Sequence, residues 1–406
     1  MKQEIRERIE KIRKGEVPEG YRKTKVGIIP VEWSVEKIGA LTSSASGTTP
    51  SREKQNIYYA DGAYLWVKTT DLNNNFINNT SEKITQRALD ETSCKLLPKN
   101  TILVAMYGGF NQIGRTGLLT KEAACNQALT GLYPNDNFDS KYLQEVLNLR
   151  IFYWKKFAAS SRKDPNITRN DVMQFPLPHS NKTEEKKIME ILSIWDKAIE
   201  LKEKLIEEKK ELKKGAEKLL ITGDVRFFSF NNEWSEMRIK DFTIQKPSMR
   251  LAGDLNETGL YPVYGASGIA GYDDIFDNDD EYVAIIKDGS GVGRVFLCEK
   301  KTSAIGTLTT IKSNSKSDIG FVYLLMKNIN YKKYITGNAI PHIYYKEYSK
   351  EHVKMPSLEE QRKIAHFSKI LNQYIQNLEN ELNQLKEQKK GLMQLLLTGI
   401  VRVGID

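Results

Sequence analysis

The sequence predicts an α+β protein in which two similar globular lobes are joined by two long helices, paired as an antiparallel coiled coil about a pseudo-twofold. Three observations carry this prediction: the chain repeats itself, two stretches of about forty residues keep a 3-4 apolar spacing, and the segments between them hold short apolar runs ended by glycine. KKGAEKLLITGDVRF (213–227) and KKGLMQLLLTGIVRV (389–403) agree at nine of fifteen positions without a gap, 176 residues apart. The same offset places TEEKKI (183–188) on EEQRKI (359–364), with Glu184 on Glu360, and Pro165-Asn166-Ile167 on Pro341-His342-Ile343. Further back the offset drifts: IGRTGLLT (113–120) resembles VGRVFLCE (292–299), and EWSVEKI (32–38) resembles EWSEMRI (233–239). The first lobe therefore carries about twenty extra residues between those signatures.

Residues 1–20 predict an N-terminal helix whose stripe of Ile5, Ile9 and Ile12 packs on the body. Residues 21–181 form the first lobe and 223–357 the second. TILVAMYGG (101–109) and EYVAIIKDG (281–289) suit strands, AYLWVKTTDL (63–72) alternates, and helical pieces fall near 139–157 and 318–334. Residues 182–222 form the first long helix, and 358–406 the second helix with a short tail. Residues 182–221 hold no proline and one glycine, and forty residues of helix make a rod of roughly 60 Å. A core helix in a bundle would show the same seam, but the length and the mixed-charge flanks favour a coiled coil.

The seam also sets direction. Laid parallel, Lys202 and Lys209 would face Leu378 and Leu385, burying charge on leucine. Laid antiparallel, Lys202 meets Glu381, Leu205 meets Leu378, Leu212 meets Leu371, Leu219 meets Ile364 and Ile188 meets Leu395, although Ile199, Ile206 and Leu382 widen the apolar face enough to allow a shift of one layer. The ends of the repeat predict one more contact. After Val225-Arg226 the first helix feeds a lobe that opens with Glu233-Trp234-Ser235, and the equivalent Glu32-Trp33-Ser34 lies near the N-terminus, so the tail after Val401-Arg402 should approach residues 20–33, bridged by the N-terminal helix.

The 406 residues carry 61 Lys and Arg against 52 Asp and Glu, a net charge of +9, and two thirds of that excess lies in 21–181. Within it, 150–170 concentrates Arg150, Lys155, Lys156, Arg162, Lys163 and Arg169 against Asp164. The second lobe is neutral but polarised, with six acids in DDIFDNDDE (273–281) and a run of lysines over 323–354. A basic face suits a phosphate backbone, although a solvated surface explains charge alone equally well. Three cysteines and four histidines in no ligand spacing exclude a disulfide framework and a zinc site. No apolar run is long enough to span a membrane, and MKQEIRERIEKIRKG is not a secretory signal, so a cytoplasmic location is expected.

Catalytic signatures are missing. DGSGVG (288–293) lacks the third spaced glycine of a dinucleotide loop and reads as a turn between strands. There is no Walker A motif, no Asn/Asp-Pro-Pro-aromatic methyltransferase motif and no nucleophile elbow at GASG, where Ile269 stands in place of the last glycine. What remains is binding equipment: polar loops that interleave basic, amide and aromatic residues at 47–55, 107–115, 159–170, 264–268 and 336–346. Arg and Lys can grip phosphates or guanine edges, and Asn and Gln can read adenine. The candidates for DNA contact are Arg52, Lys54, Arg115, Arg162, Lys163 and Arg169 in the first lobe, and Lys246, Arg250, Ser267, His342, Tyr344 and Tyr345 in the second.

LLITGDVRF and LLLTGIVRV after each long helix, the P-x-x-EEQRKIA phrase at 356–365, GTTPSR, LWVKTTDL, GRTG, ACNQALTGL (124–132) and the opening GYRKTKVGIIPVEW (20–33) together resemble the specificity (S) subunit of type I restriction–modification enzymes. The resemblance covers essentially the whole chain, in the order target-recognition domain, conserved helix, target-recognition domain, conserved helix. It implies a non-catalytic subunit that binds double-stranded DNA, each recognition domain reading one half of a bipartite target while the helices act as a ruler. It further implies two modification (methyltransferase) subunits that use S-adenosylmethionine, and restriction subunits that use ATP and Mg, with no cofactor held by this chain. A coiled-coil scaffold without sequence-specific DNA binding would explain the helices but not two loop-rich lobes. A fused restriction enzyme would need nuclease and methylase motifs.

Overall fold

The structure, a computed structural model, describes residues 3–109, 111–154, 156, 166–337 and 340–404. The chain divides into two compact units: the residues up to Leu201 together with those from Asn383 onward, and Lys202–Leu382. Each long helix, Lys182–Thr222 and Leu358–Leu396, contributes one half to each unit.

The first unit is built on a five-stranded sheet in the order Ser44–Ser46, Leu129–Leu132, Ile102–Ala105, Thr116–Leu119, Asn75–Ile77. Its pairs are antiparallel except the last. The middle three strands are buried on both faces and read as continuous apolar or small-residue runs. Beside it, Tyr64–Val67 pairs parallel with Ala123–Cys125 and antiparallel with Glu82–Ile84. The second unit repeats this order with Thr243–Pro247, Leu308–Ser313, Tyr282–Ile286 and Val295–Cys298, all antiparallel. Tyr261–Gly265 pairs parallel with Ser303–Ala304, as Tyr64–Val67 does with Ala123–Cys125. The units differ where the first carries its extra residues: Asn75–Ile77 and Glu82–Ile84 there, a hairpin strand Gly268–Asp273 in the second.

Each unit's core joins its lobe to the helices. Ile188 and Leu192 of the first helix, Leu396 at the end of the second and Leu397 just past it are buried with Trp33, Tyr142 and Phe175. Leu220, Ile221 and Ile364 are buried with Phe242, Phe321 and Tyr348. The helix starts are capped alike: the Asn181 side chain accepts from Glu184 N at 2.9 Å, and Ser357 Oγ accepts from Glu360 N at 3.3 Å. The helices stop alike, at Gly223 and Gly399, whose φ of +77° and +71° suits a residue without Cβ.

Within each unit the helix halves run antiparallel. Lys389 Nζ reaches Asp196 at 2.6 Å in the first unit. In the second, Lys202 Nζ reaches Glu381 at 2.7 Å, the expected central pair, and Lys210 reaches Glu379 at 2.6 Å. Leu205 and Leu378 share one apolar cluster with Ile206, Ile375 and Leu382. Two expected layers do not form as drawn: Leu212 is 55% exposed, and Leu219 is 43% exposed while Leu220 and Ile221 take the buried places near Ile364. The cause is geometric. A straight helix of 3.6 residues per turn drifts about 20° per heptad from a 3.5-residue seam, so neighbouring positions inherit the core.

Candidate nucleic-acid interface

The same hairpin closes the central sheet of each unit. In the first, Ala105 N donates to Arg115 O and Gly114 N to Ala105 O, both at 2.9 Å. In the second, Ile286 N donates to Arg294 O and Gly293 N to Ile286 O, again at 2.9 Å. The turns need glycine, since Gly114 and Gly293 have φ of +78° and +84° and lie against Trp154 and Tyr331. A second loop braces each turn: Ile167 N donates to Met106 O at 3.0 Å, and Ile343 N to Lys287 O at 2.9 Å. The Pro-x-Ile repeat thus has a structural job at Ile167 and Ile343, which fixes a loop against the glycine turn. DGSGVG is the second of these turns, as its spacing predicts.

Around the turns, side chains fall into committed and available groups. Arg52 lies over Tyr59 and Trp66, 4.4 and 5.1 Å from their ring centroids, and pairs with Glu82 at 2.8 Å. The Arg52 hydrogen bond holds the Glu82 carboxyl below the usual carboxylate range. Lys54 Nζ stands 3.4 Å from the Tyr58 hydroxyl. Arg169 donates Nε to Ser44 Oγ at 2.7 Å and Nη2 to the Ser44 carbonyl, tying the short helix Arg169–Met173 to the edge strand. Tyr345 does the same work in the second unit, its hydroxyl 2.8 Å from Thr243 Oγ1. Arg250 is clamped by Asp277, at 2.7 Å, and by Asp273. That hydrogen bond holds the Asp277 carboxyl low, and Lys246 donates to the Asp277 carbonyl at 2.5 Å. An Arg between two carboxylates has little net charge to offer a phosphate.

The available group is smaller. Arg115 follows Gly114 at the mouth of the first turn and forms no ion pair among the described residues. Ser267 is exposed between Tyr261–Gly265 and Gly268–Asp273. His342 gives Nδ1 to Asp288 at 2.7 Å, which leaves Nε2 as its other polar atom. Tyr344 is 51% exposed, with the Lys346 ammonium 5.8 Å from its ring centroid. Arg162 and Lys163 lie outside the described residues. Arg294, exposed at the position of Arg115, is absent from the sequence candidates, although aligning GRTG with VGRV supplies the signal.

Each unit also carries a buried lock. Glu184 is fully buried and accepts from Arg402 Nε at 2.6 Å, Arg402 Nη2 at 2.9 Å and Trp33 Nε1 at 3.1 Å. Glu360 accepts from Arg226 Nε at 2.9 Å, Arg226 Nη2 at 2.8 Å and Trp234 Nε1 at 3.1 Å. Arg402 also pairs with Glu32 at 2.7 Å, so the end of the second helix meets the start of the first lobe as expected. Among the described residues no cluster of His, Cys, Asp and Glu could hold a metal, and no helix is long and apolar enough to cross a membrane.

Comparison with known proteins matches this architecture. The type I restriction modification DNA specificity domain model matches residues 30–211 and again 231–387. The type I restriction enzyme MjaIX specificity subunit of Methanocaldococcus jannaschii is 28% identical over 218 residues, which cover 52% of this chain and 48% of that protein. The chain thus matches about half the length of that relative. The putative type I restriction enzyme MjaX specificity subunit of the same organism is 27% identical over 422 residues, covering 95% of this chain and 97% of its own. The crystal structure of the type I restriction-modification system S subunit from M. genitalium shares the fold, with a TM-score of 0.54, 22% identity, and 90% and 96% of the two chains covered. With two matched domains spanning most of its length, one on each repeat, the chain belongs to the family of type I restriction modification DNA specificity proteins.

Proposed function

We propose that this chain is the DNA-reading subunit of a type I restriction–modification complex in which each recognition domain reads one half of a bipartite target. The observation that carries the reading is the paired glycine hairpin, closed at Arg115 and Arg294 and braced at Ile167 and Ile343, present once per unit. Arg115, Arg294, Ser267, His342 and Tyr344 are the proposed groove contacts, with Arg162 and Lys163 on phosphates. Arg52, Lys54, Arg169, Lys246, Arg250 and Tyr345 hold the loops that present them. The long helices set the spacer and dock two methyltransferase subunits, and restriction subunits join that assembly. S-adenosylmethionine, ATP and Mg belong to those partners, in the cytoplasm. The chain itself is non-catalytic in this reading.

The test is co-expression with a candidate methyltransferase subunit and sequencing of modified adenines. Methylation at a split motif, absent when either protein is expressed alone, supports the proposal. Turnover of DNA by the purified chain alone, with S-adenosylmethionine or ATP supplied, would overturn it.

A further inference from the structure

The repeat makes the two helix ends directly comparable, and they are not equally covered. At the end of the second helix, Tyr21 Oη donates to Gly399 O at 2.8 Å and Arg8 Nη1 to Ile400 O at 3.1 Å. Pro30 packs on Gly399. These groups come from the N-terminal helix Gln3–Arg13 and the hairpin Tyr21–Thr24 with Gly27–Pro30. At the corresponding end of the first helix Trp234 lies on Gly223 as Trp33 lies on Gly399, but among the described residues nothing takes the places of Pro30, Tyr21 and Arg8. The Gly223 and Asp224 carbonyls receive no such hydrogen bond among the described residues. Leu219, Thr222, Asp224 and Val225 are exposed, whereas Leu395, Thr398, Ile400 and Val401 are partly covered. Val225 is 50% exposed, and Phe228, two residues past the lock arginine, is 100% exposed.

We propose that the end of the first helix, residues 219–228, is a docking site for an amphipathic helix from a partner protein, carrying an arginine on its apolar stripe as residues 3–13 do. The occupant's chemistry is read from the covered copy. An arginine placed like Arg8 would reach the carbonyl of residue 224, and the apolar stripe of such a helix would meet the exposed Leu219, Val225 and Phe228. The uncovered copy adds charge complementarity, because Asp224 stands where the covered copy has Ile400. A second copy of this chain is the weaker occupant, since its own N-terminal segment already lies on its own second helix end.

The probe is a fluorescent peptide of residues 3–30 added in trans to the full chain. Expected is saturable 1:1 binding, weakened about tenfold or more by Phe228→Asp or Val225→Asp in the protein and by Arg8→Ala in the peptide. Both protein positions are exposed, so circular dichroism of the variants should match the parent. Absence of binding would overturn the proposal. So would binding that neither protein substitution changes, which would place the peptide on the second helix end. A chain dimer that Phe228→Asp dissociates would also overturn it, making the occupant a second copy.

Discussion

Glu185 and Gln361 occupy the same place in the two repeats, and both accept a hydrogen bond from the backbone of a helix-capping aspartate. Asp139 N reaches Glu185 Oε2 at 3.1 Å, and Asp318 N reaches Gln361 Oε1 at 2.9 Å. Gln361 has an amide left over for the carbonyls of Pro356 and Lys316, whereas Glu185 Oε1 is buried without a hydrogen-bond partner. Burial pushes the Glu185 carboxyl up to about 8, against the smaller lowering effects of the Asp139 amide and Lys182. The sign follows from the folded value lying above the unfolded one, about 4.3. Its stability contribution is complete below the unfolded value, falls as pH rises, and is lost above about 8. Glu185→Gln should therefore flatten the decline in melting temperature between about pH 5 and pH 8. An unchanged slope would mean that the carboxyl stays ionised throughout. The lock arginines make a separate prediction: Arg402→Ala leaves Glu184 buried without its cation and should cost about 3 kcal/mol or more in chemical denaturation. For DNA, Arg115→Ala and Arg294→Ala should each weaken binding. A groove contact loses about 1–3 kcal/mol on the cognate half-site only, and a phosphate contact lowers the salt slope by about one on all sequences.

At the scale of elements, the long helices were legible because their signal is local: a 3-4 spacing, no proline, and caps that recur with the repeat. The register was legible at Lys202 and Glu381, where only one direction pairs the charges. The outer layers were not, because seam drift depends on how straight the helices run, which no single window records. The site was legible only in part for the same reason. Arg250 looks like any loop arginine until Asp273 and Asp277 are brought to it across 23 and 27 residues. Arg169 likewise gives no sign in sequence of its bonds to Ser44, 125 residues away. A cysteine pair tests the register directly. Leu205→Cys with Leu378→Cys should crosslink readily and Leu205→Cys with Glu381→Cys poorly, and the reverse order would refute antiparallel packing.

For the whole molecule, the repeat implies that the same assembly of lobe and helix ends was used twice. The lock takes its tryptophan from a lobe, its glutamate from the start of one helix and its arginine from the end of the other, in both units. The contacts of Arg402 with Glu32 and of Tyr21 with Gly399 bring residues far apart in sequence together in the first unit. A permutant that links residue 404 to residue 3 and opens between Arg226 and Glu233 should therefore fold and bind DNA. Failure at every linker length would argue against it. The central claim is that two like units read two separate half-sites. Its most direct test is to co-express the chain with a candidate methyltransferase subunit, replace residues 223–357 by the equivalent domain of a relative, and sequence the modified adenines. The account predicts that one half of the split motif changes while the other half stays as it was. A change in both halves, or a single continuous motif, would contradict it.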